Sequence, residues 1–314
     1  MSSTAPILIT GAHRTATRWV SSALAASPDG IEWIWEPFSP KHRLGTFAIP
    51  FEYYYHAVEP HESARFKDAL TDTLAFRYRP VAELTTVRSP KDLGRLIRDW
   101  RVFSARRRRG TIPLLKDPIA LFSAAWIARE FDARVGITVR HPAAFCATLI
   151  HRNWRHDFNG FVQQPELLQG RLGQWESQIR LHAAQQQPLI DEAILLWNIL
   201  NGEIDRLRDE HPEWVIMRQE DLSRDPMTHF RILFDRLDVT WSDAVEQYIH
   251  DSSGAQNKAV DDDPSSDRRH SSEHMWNWTR QLSAEQIATI RRDTEAVAAR
   301  FYTTEDWVRT PAPV

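Results

Sequence analysis

Cysteine is nearly missing from this chain of 314 residues: Cys146 stands alone. One thiol can neither close an internal disulfide nor build a thiolate metal site, which fits a reducing compartment. No apolar run approaches the ~18 residues needed to cross a bilayer. Met1 to Pro6 is small and polar, without the basic-then-apolar order of an export signal, so a cytoplasmic location is expected. A net charge of -3 leaves no global basic field, so no nucleic-acid partner is expected. Lysine occurs only at positions 41, 67, 91, 116 and 258, and arginine supplies the remaining basic charge. These shortages exclude a secreted mini-protein, a zinc finger, a collagen and a membrane protein. What remains is ordinary globular composition, 42% hydrophobic and 26% charged, in a chain long enough to bury a sizeable core.

Short apolar runs alternate with helical patterns. Pro6 to Thr10, Ile31 to Trp35, Ile112 to Leu115, Val135 to Val139 and Trp214 to Met217 read as strands. Thr15 to Ala26, residues 61–76 and 90–105, Ile119 to Phe131, Ala143 to Arg152, and residues 165–184, 188–210 and 226–237 read as helices. Ser283 with Gln286 forms a candidate capping box for a final helix running to Phe301-Tyr302. Such alternation predicts an α/β fold in three layers, P-loop-like, with a mainly parallel central sheet flanked by helices. One domain over 1–314 is expected, with the polar stretch 251–274 as a long loop or lid.

Two segments carry chemistry. The first is Ile7 to Trp19, a strand, a turn and a helix start with Gly11, Arg14, Thr15, Ala16, Thr17 and Arg18. Amides at a helix start and the helix dipole attract an anion, and a guanidinium adds charge-assisted hydrogen bonds. The Gly-Lys-Ser/Thr of a nucleotidase loop is absent. The second is Val135 to Pro142, a strand that ends on Arg140, with Thr148 eight residues further on in the next helix. Arginine and hydroxyl so spaced can converge on one phosphate at the carboxyl end of a sheet. Each segment is also compatible with plain packing: a surface arginine, a hydroxyl inside a helix.

Together they resemble the nucleotide-dependent sulfotransferases. His13-Arg14-Thr15-Ala16-Thr17-Arg18-Trp19 is similar to that family's first motif, and Arg140, Pro142 and Thr148 to its second. Leu115-Lys116-Asp117-Pro118, Glu220-Asp221-Leu222 and Trp278 before the capped final helix follow the same order, so the likeness spans about residues 6–302. Arg14, where the cytosolic branch has lysine, looks more like the bacterial and carbohydrate-directed branches. Ala16 replaces a loop glycine, a change that is tolerable at negative φ.

The resemblance implies 3′-phosphoadenosine 5′-phosphosulfate (PAPS) as co-substrate, no metal, and transfer of a sulfuryl group to an acceptor hydroxyl on a small molecule or carbohydrate. Arg14, the amides of Thr15 to Thr17 and Lys116 would face the transferring group, with Arg18 beside them. Arg140 and Thr148 would hold the 3′-phosphate, with Arg268-Arg269 as a further pair for it. Trp19 would stack on adenine or pack in the core, and Lys116 would face the donor or pair with Asp117. Glu36 follows the second strand where related enzymes place a glutamate base; aromatic neighbours would desolvate it and suit it to accept a proton near neutrality. His42, His56, His151 and His156 are the reserve, expected mostly at the surface. Tyr53 to Tyr55, Trp154 and Phe158 would line the acceptor pocket or merely pack. Arg106 to Arg109 reads as a solvated helix end or an acidic-partner contact. An ATP-dependent kinase and a non-catalytic nucleotide-binding protein are the competing readings.

Overall fold

The computed structural model describes residues 4–254 and 271–308. Five strands form one sheet: β1 Ile7–Gly11, β2 Ile31–Trp35, β3 Ile112–Lys116, β4 Arg134–Val139 and β5 Val215–Arg218. Their order is β2-β3-β1-β4-β5. Every pairing is parallel, so the sheet is wholly rather than mainly parallel. Parallel neighbours need crossovers, and the helices between strands supply them.

Within the strands, alternate residues face opposite layers. Leu8, Leu115, Val135, Ile137 and Val139 join the larger core, with the helices Pro142–His151 and Leu189–Glu210. Ile7, Ile9, Leu114, Val215 and Met217 join the smaller one, under the helices Thr17–Ala25, Pro226–Arg236 and Asp243–Ser253. Central β1 is buried throughout. The chain leaves β1 toward β2 and returns through β3 before passing to β4, so the loops after β1 and β4 part at the carboxyl edge. That divergence opens the crevice in which such sheets bind ligands.

Several boundaries differ from the sequence reading. Residues 165–184 do not form one helix but break into Pro165–Gln169, a 3-10 turn Gly173–Trp175 and Glu176–Ala184. Gly170 caps the first piece at φ -84, ψ -96, outside helical geometry. Ile119 to Phe131 begins as a 3-10 turn, Pro118–Ser123, before the helix Ala124–Phe131. The expected loop 251–274 is helical at both ends: Asp243–Ser253 runs into it and Ser271–His274 closes it, while residues 255–270 lie outside the described residues. Asp243–Ser253 escaped the sequence reading because its buried stripe is thin: Val245, Ile249 and Ser252. The Ser283–Gln286 capping box is present, but its helix stops at Ala298.

Candidate active site

Gly11 ends β1 with φ 137. A Cβ there would lie 2.2 Å from the Thr138 carbonyl oxygen on β4, so only glycine lets the two strands run this close before they part. The loop then turns through two left-handed residues, Arg14 (φ 67) and Ala16 (φ 69). This corrects the expectation that Ala16 takes negative φ: it holds the strained conformation for which glycine is the usual residue, at a cost of roughly 1 kcal/mol. From there Ala16 caps the helix Thr17–Ala25, its carbonyl accepting from Val20 N at 3.1 Å. The first-turn amides have no acceptors within the helix and point out of its end.

The loop is pinned from below and from the side. Thr15 is fully buried; its hydroxyl donates to the Ala12 carbonyl at 2.5 Å and pairs with the Thr138 hydroxyl at 2.6 Å. Its side chain therefore fastens the loop after β1 to β4, and only its backbone is left for a ligand. Arg140, at the end of β4, donates from Nη1 to the Arg14 carbonyl and to Thr148 Oγ1, each at 3.0 Å. The Thr148 hydroxyl donates in turn to the Ala144 carbonyl at 3.0 Å. The buried indole of Trp197 donates to the Arg140 carbonyl at 2.9 Å and fixes the turn from behind.

On the other side, β2 and β3 end next to each other. Glu36 sits at φ 40, its amide donating to the Lys116 carbonyl at 3.0 Å. Lys116 Nζ, almost fully buried, donates to Glu36 Oε1 and lies 4.1 Å from the Trp35 ring centroid. The Arg18 guanidinium lies 5.0 Å from the same ring. The Glu36 carboxylate is thus not the desolvated group expected from its aromatic neighbours: its side chain is 23% exposed and holds an ammonium. Lys116 pairs with Glu36 and not with Asp117. Asp117 instead caps the 3-10 turn, accepting from the amides of Ile119 and Ala120 and also from Phe38. Burial pushes its carboxyl up to about 7, against the pull of those amides.

These groups line one cavity of about 960 Å³. Arg14, Ala16, Thr17, Arg18, Trp19, Glu36, Lys116, Arg140 and Thr148 all border it; Thr15 does not, and Arg268 and Arg269 lie outside the described residues. Seven Lys or Arg side chains and two carboxylates, Glu36 and Asp157, share the wall. A chain of net charge -3 has inverted its charge here, which suits a polyanion. Trp19 touches the cavity but is a core residue: 9% exposed, edge-on to Phe230 at 4.9 Å, its indole N–H donating to Ser252 Oγ at 2.8 Å.

In the aromatic–histidine wall, His13 is the member that the sequence reading did not anticipate. His13 Nδ1 shares a 2.5 Å hydrogen bond with the Tyr55 hydroxyl, and its ring lies 4.7 Å from Trp154. Burial, with repulsion from His156 and Arg14, pushes His13 down to about 3; burial likewise takes His156 to about 4, so both stay neutral at pH 7. Neither Nε2 has a hydrogen-bond partner among the described residues. Of the four reserve histidines, His42, His151 and His156 border the cavity; only His151 is exposed, His42 and His156 are half-buried and His56 is buried. His56 pairs with Glu62 away from it. Tyr54, Tyr55 and Trp154 line the cavity, whereas Phe158 packs in the core and Tyr53 lies against Gly160. The only signal in the sequence was that His13 interrupts a small-residue loop.

Glu220 of the Glu220-Asp221-Leu222 match is a strut. Its carboxylate accepts from the His141 amide and the Tyr302 hydroxyl, each at 3.0 Å, and so ties β4 to the chain after the final helix.

Among solved structures, the sulfotransferase domain from the curacin biosynthetic pathway aligns with a TM-score of 0.51 at 13% identity, over 96% of this chain and 98% of that one. The sulfotransferase domain of the Synechococcus PCC 7002 olefin synthase aligns at 0.48 and 17% identity, over 94% of each chain. A sulfotransferase from Alicyclobacillus acidocaldarius aligns at 0.43 and 18%, over 97% and 99%. At such identity the curacin match speaks for the fold alone, and the two below 0.5 add no weight. No curated protein matches the chain in sequence. The model of a sulfotransferase family matches residues 6–243, from the start of the sheet past the last strand, and on that match the chain is an enzyme of the sulfotransferase family.

Proposed function

We propose that the chain transfers a sulfuryl group from PAPS to an acceptor hydroxyl carried by a sugar, a lipid-linked molecule or a small metabolite, by in-line displacement. The observation that carries this reading is the joining of Arg140, Thr148 and the Arg14 carbonyl by hydrogen bonds in the wall of a cation-lined cavity. The residues present suit the donor: hydroxyl and guanidinium for one phosphate, and helix amides with Arg14 and Arg18 for a second anionic centre.

The donor supplies an activated sulfuryl group. The protein positions it and opposes the charge that grows on the leaving phosphate. In this reading Arg140 and Thr148 grip the 3′-phosphate. The amides of Thr15 to Thr17, with Arg14, Arg18 and the Thr17 hydroxyl, hold the 5′-phosphosulfate. Lys116 neutralises charge at the transferring group and keeps the Glu36 carboxylate oriented. Glu36 takes the acceptor proton. Glu36 after the second strand and arginine at position 14 also favour the bacterial and carbohydrate-directed branches. We further assign the whole chain to one working domain in a reducing, cytoplasmic setting.

Calorimetric titration with 3′-phosphoadenosine 5′-phosphate, without magnesium, tests this. Wild type should bind, and Arg140→Ala should lose about 100-fold, as expected for two charge-assisted hydrogen bonds to a phosphate. A parallel titration with ATP and magnesium separates the kinase reading. Binding of ATP alone would overturn the proposal. Nucleotide binding without turnover on any acceptor would favour the non-catalytic one.

A further inference from the structure

The helix Pro90–Arg109 takes no part in the cavity wall, yet it is the most unusual surface of the molecule. Its eight cationic residues outnumber Asp92 and Asp99 and leave a net +6 on one helix of a chain that is -3 overall. Leu96 and Phe103, seven residues apart, turn inward. On another side, Leu93, Ile97 and Trp100 follow the helical repeat and are 44%, 39% and 48% exposed. The same stripe continues through Ser104 to Arg108 and is flanked by Arg101 and Arg107. Val81 and Leu84, also exposed, extend the apolar area on the short helix Pro80–Leu84 that packs alongside.

The four-arginine run is only half a solvated helix end. Arg106 and Arg109 turn back to clamp Glu32 of β2, and Arg106 also reaches the Trp33 carbonyl. Those contacts anchor the helix to the sheet and leave Arg107 and Arg108 facing out. Lys91, Arg101, Arg107 and Arg108 have no ion-pair partner among the described residues. A three-residue apolar stripe on open display costs solubility, and unpaired arginines beside it cost repulsion; neither helps the fold.

We propose that this face docks the enzyme on an anionic lipid surface, with Trp100, Ile97 and Leu93 entering the headgroup boundary and the arginines meeting lipid phosphates. Charge complementarity argues for an anionic occupant. The side chains argue for lipid over an acidic protein: aliphatic and indole side chains bordered by arginine are the pattern of interfacial helices. The inward side of the helix is tied to a segment that borders the cavity. Lys41 and His42 border the cavity, and the next residue, Arg43, bridges to Asp99 in the middle of this helix at 3.5 Å.

Co-sedimentation of the full chain with vesicles decides the matter. Wild type should pellet with phosphatidylcholine vesicles containing about 30% phosphatidylglycerol and stay in solution with phosphatidylcholine alone, because each basic residue near an anionic surface adds about 1 kcal/mol. Arg107→Glu/Arg108→Glu should weaken partitioning by at least about thirty-fold, by that same figure for two residues. Trp100→Ser should weaken it without abolishing the preference for anionic lipid. All three side chains are exposed, so melting temperatures should match wild type. Absence of wild-type pelleting, equal pelleting with both vesicle types, or unchanged pelleting of the double variant would each overturn the proposal. So would concentration-dependent self-association lost in Trp100→Ser without any vesicle binding; a second copy would then be the occupant.

Discussion

The two sides of the cavity are built by opposite means. One side is made of consecutive residues at the ends of β1 and β4, locked by buried hydroxyl and arginine bonds. The other gathers Glu36, Lys116, Tyr55 and His156 from distant parts of the chain, with His13 of the β1 loop turned toward them. The first presents cations and amides held by the sheet. The second presents neutral histidines, phenols and one ion pair. A rigid anion cradle suits a ligand that does not change, while loop-borne walls are where specificity varies without disturbing the sheet.

The sharpest way to break this contrast is to alter the variable side and ask whether the cradle notices. Glu36→Gln should lower kcat by about 10²–10⁴ if the carboxylate accepts the acceptor's proton. Nucleotide affinity, measured by the same calorimetry, should stay within a few-fold of wild type. Turnover near the wild-type level would remove Glu36 from the reaction and bring His13 forward.

Acid should attack the same side. His13 and His156 there, and His141 behind the cradle, are pushed down to about 3, 4 and 3 by burial. A histidine whose folded value lies below its unfolded one contributes stability above about 6.5 and loses it as pH falls toward the folded value. Asp117 is raised to about 7, so its contribution is present below about 4 and fades as pH rises through 7. For these four groups together, three protons against one make stability fall by on the order of 3 kcal/mol per pH unit as pH drops from 6.5 toward 4. Urea melts at pH 7, 6 and 5 read this directly. A flat profile would mean that these rings are charged or solvated in the native state.

Thr148→Val probes the cradle alone. It removes the hydroxyl that Arg140 meets at 3.0 Å and should raise the dissociation constant for the bisphosphate nucleotide about five- to ten-fold, a hydrogen bond's worth. The smallest effect belongs to Ala16→Gly. Releasing a left-handed alanine should stabilise the fold by about 1 kcal/mol, or about 2 °C in a chain of this size, in a thermal melt. If Ala16→Gly destabilises, the loop geometry described here is wrong.

The cradle was legible because its parts are local. Gly11 announces the turn, Arg14 and Thr17 mark the helix start, and Arg140 stands eight residues from Thr148, a helical spacing that brought the two to 3.0 Å. The sign of φ at Ala16 was not legible: whether alanine sits left-handed depends on how tightly β1 and β4 force the turn. Nor was the fate of Thr15, a hydroxyl that looks like a ligand until Thr138 is found opposite it. The chain segment 165–184 was misread because apolar spacing persists across Gly170 and Gly173, where the backbone breaks.

Strand order, the parallel sheet and the strand–turn–helix around Arg14 were determined by sequence alone, because each follows from periodicity and from backbone rules acting over a few residues. Tertiary structure decided which charges meet. Lys116 chose Glu36 over Asp117 because β2 and β3 end side by side and the Asp117 carboxylate is consumed by three amides. His13 met Tyr55 across 42 residues for the same kind of reason: partners of buried polar groups are set by which chain ends the sheet brings together, and no local pattern records that.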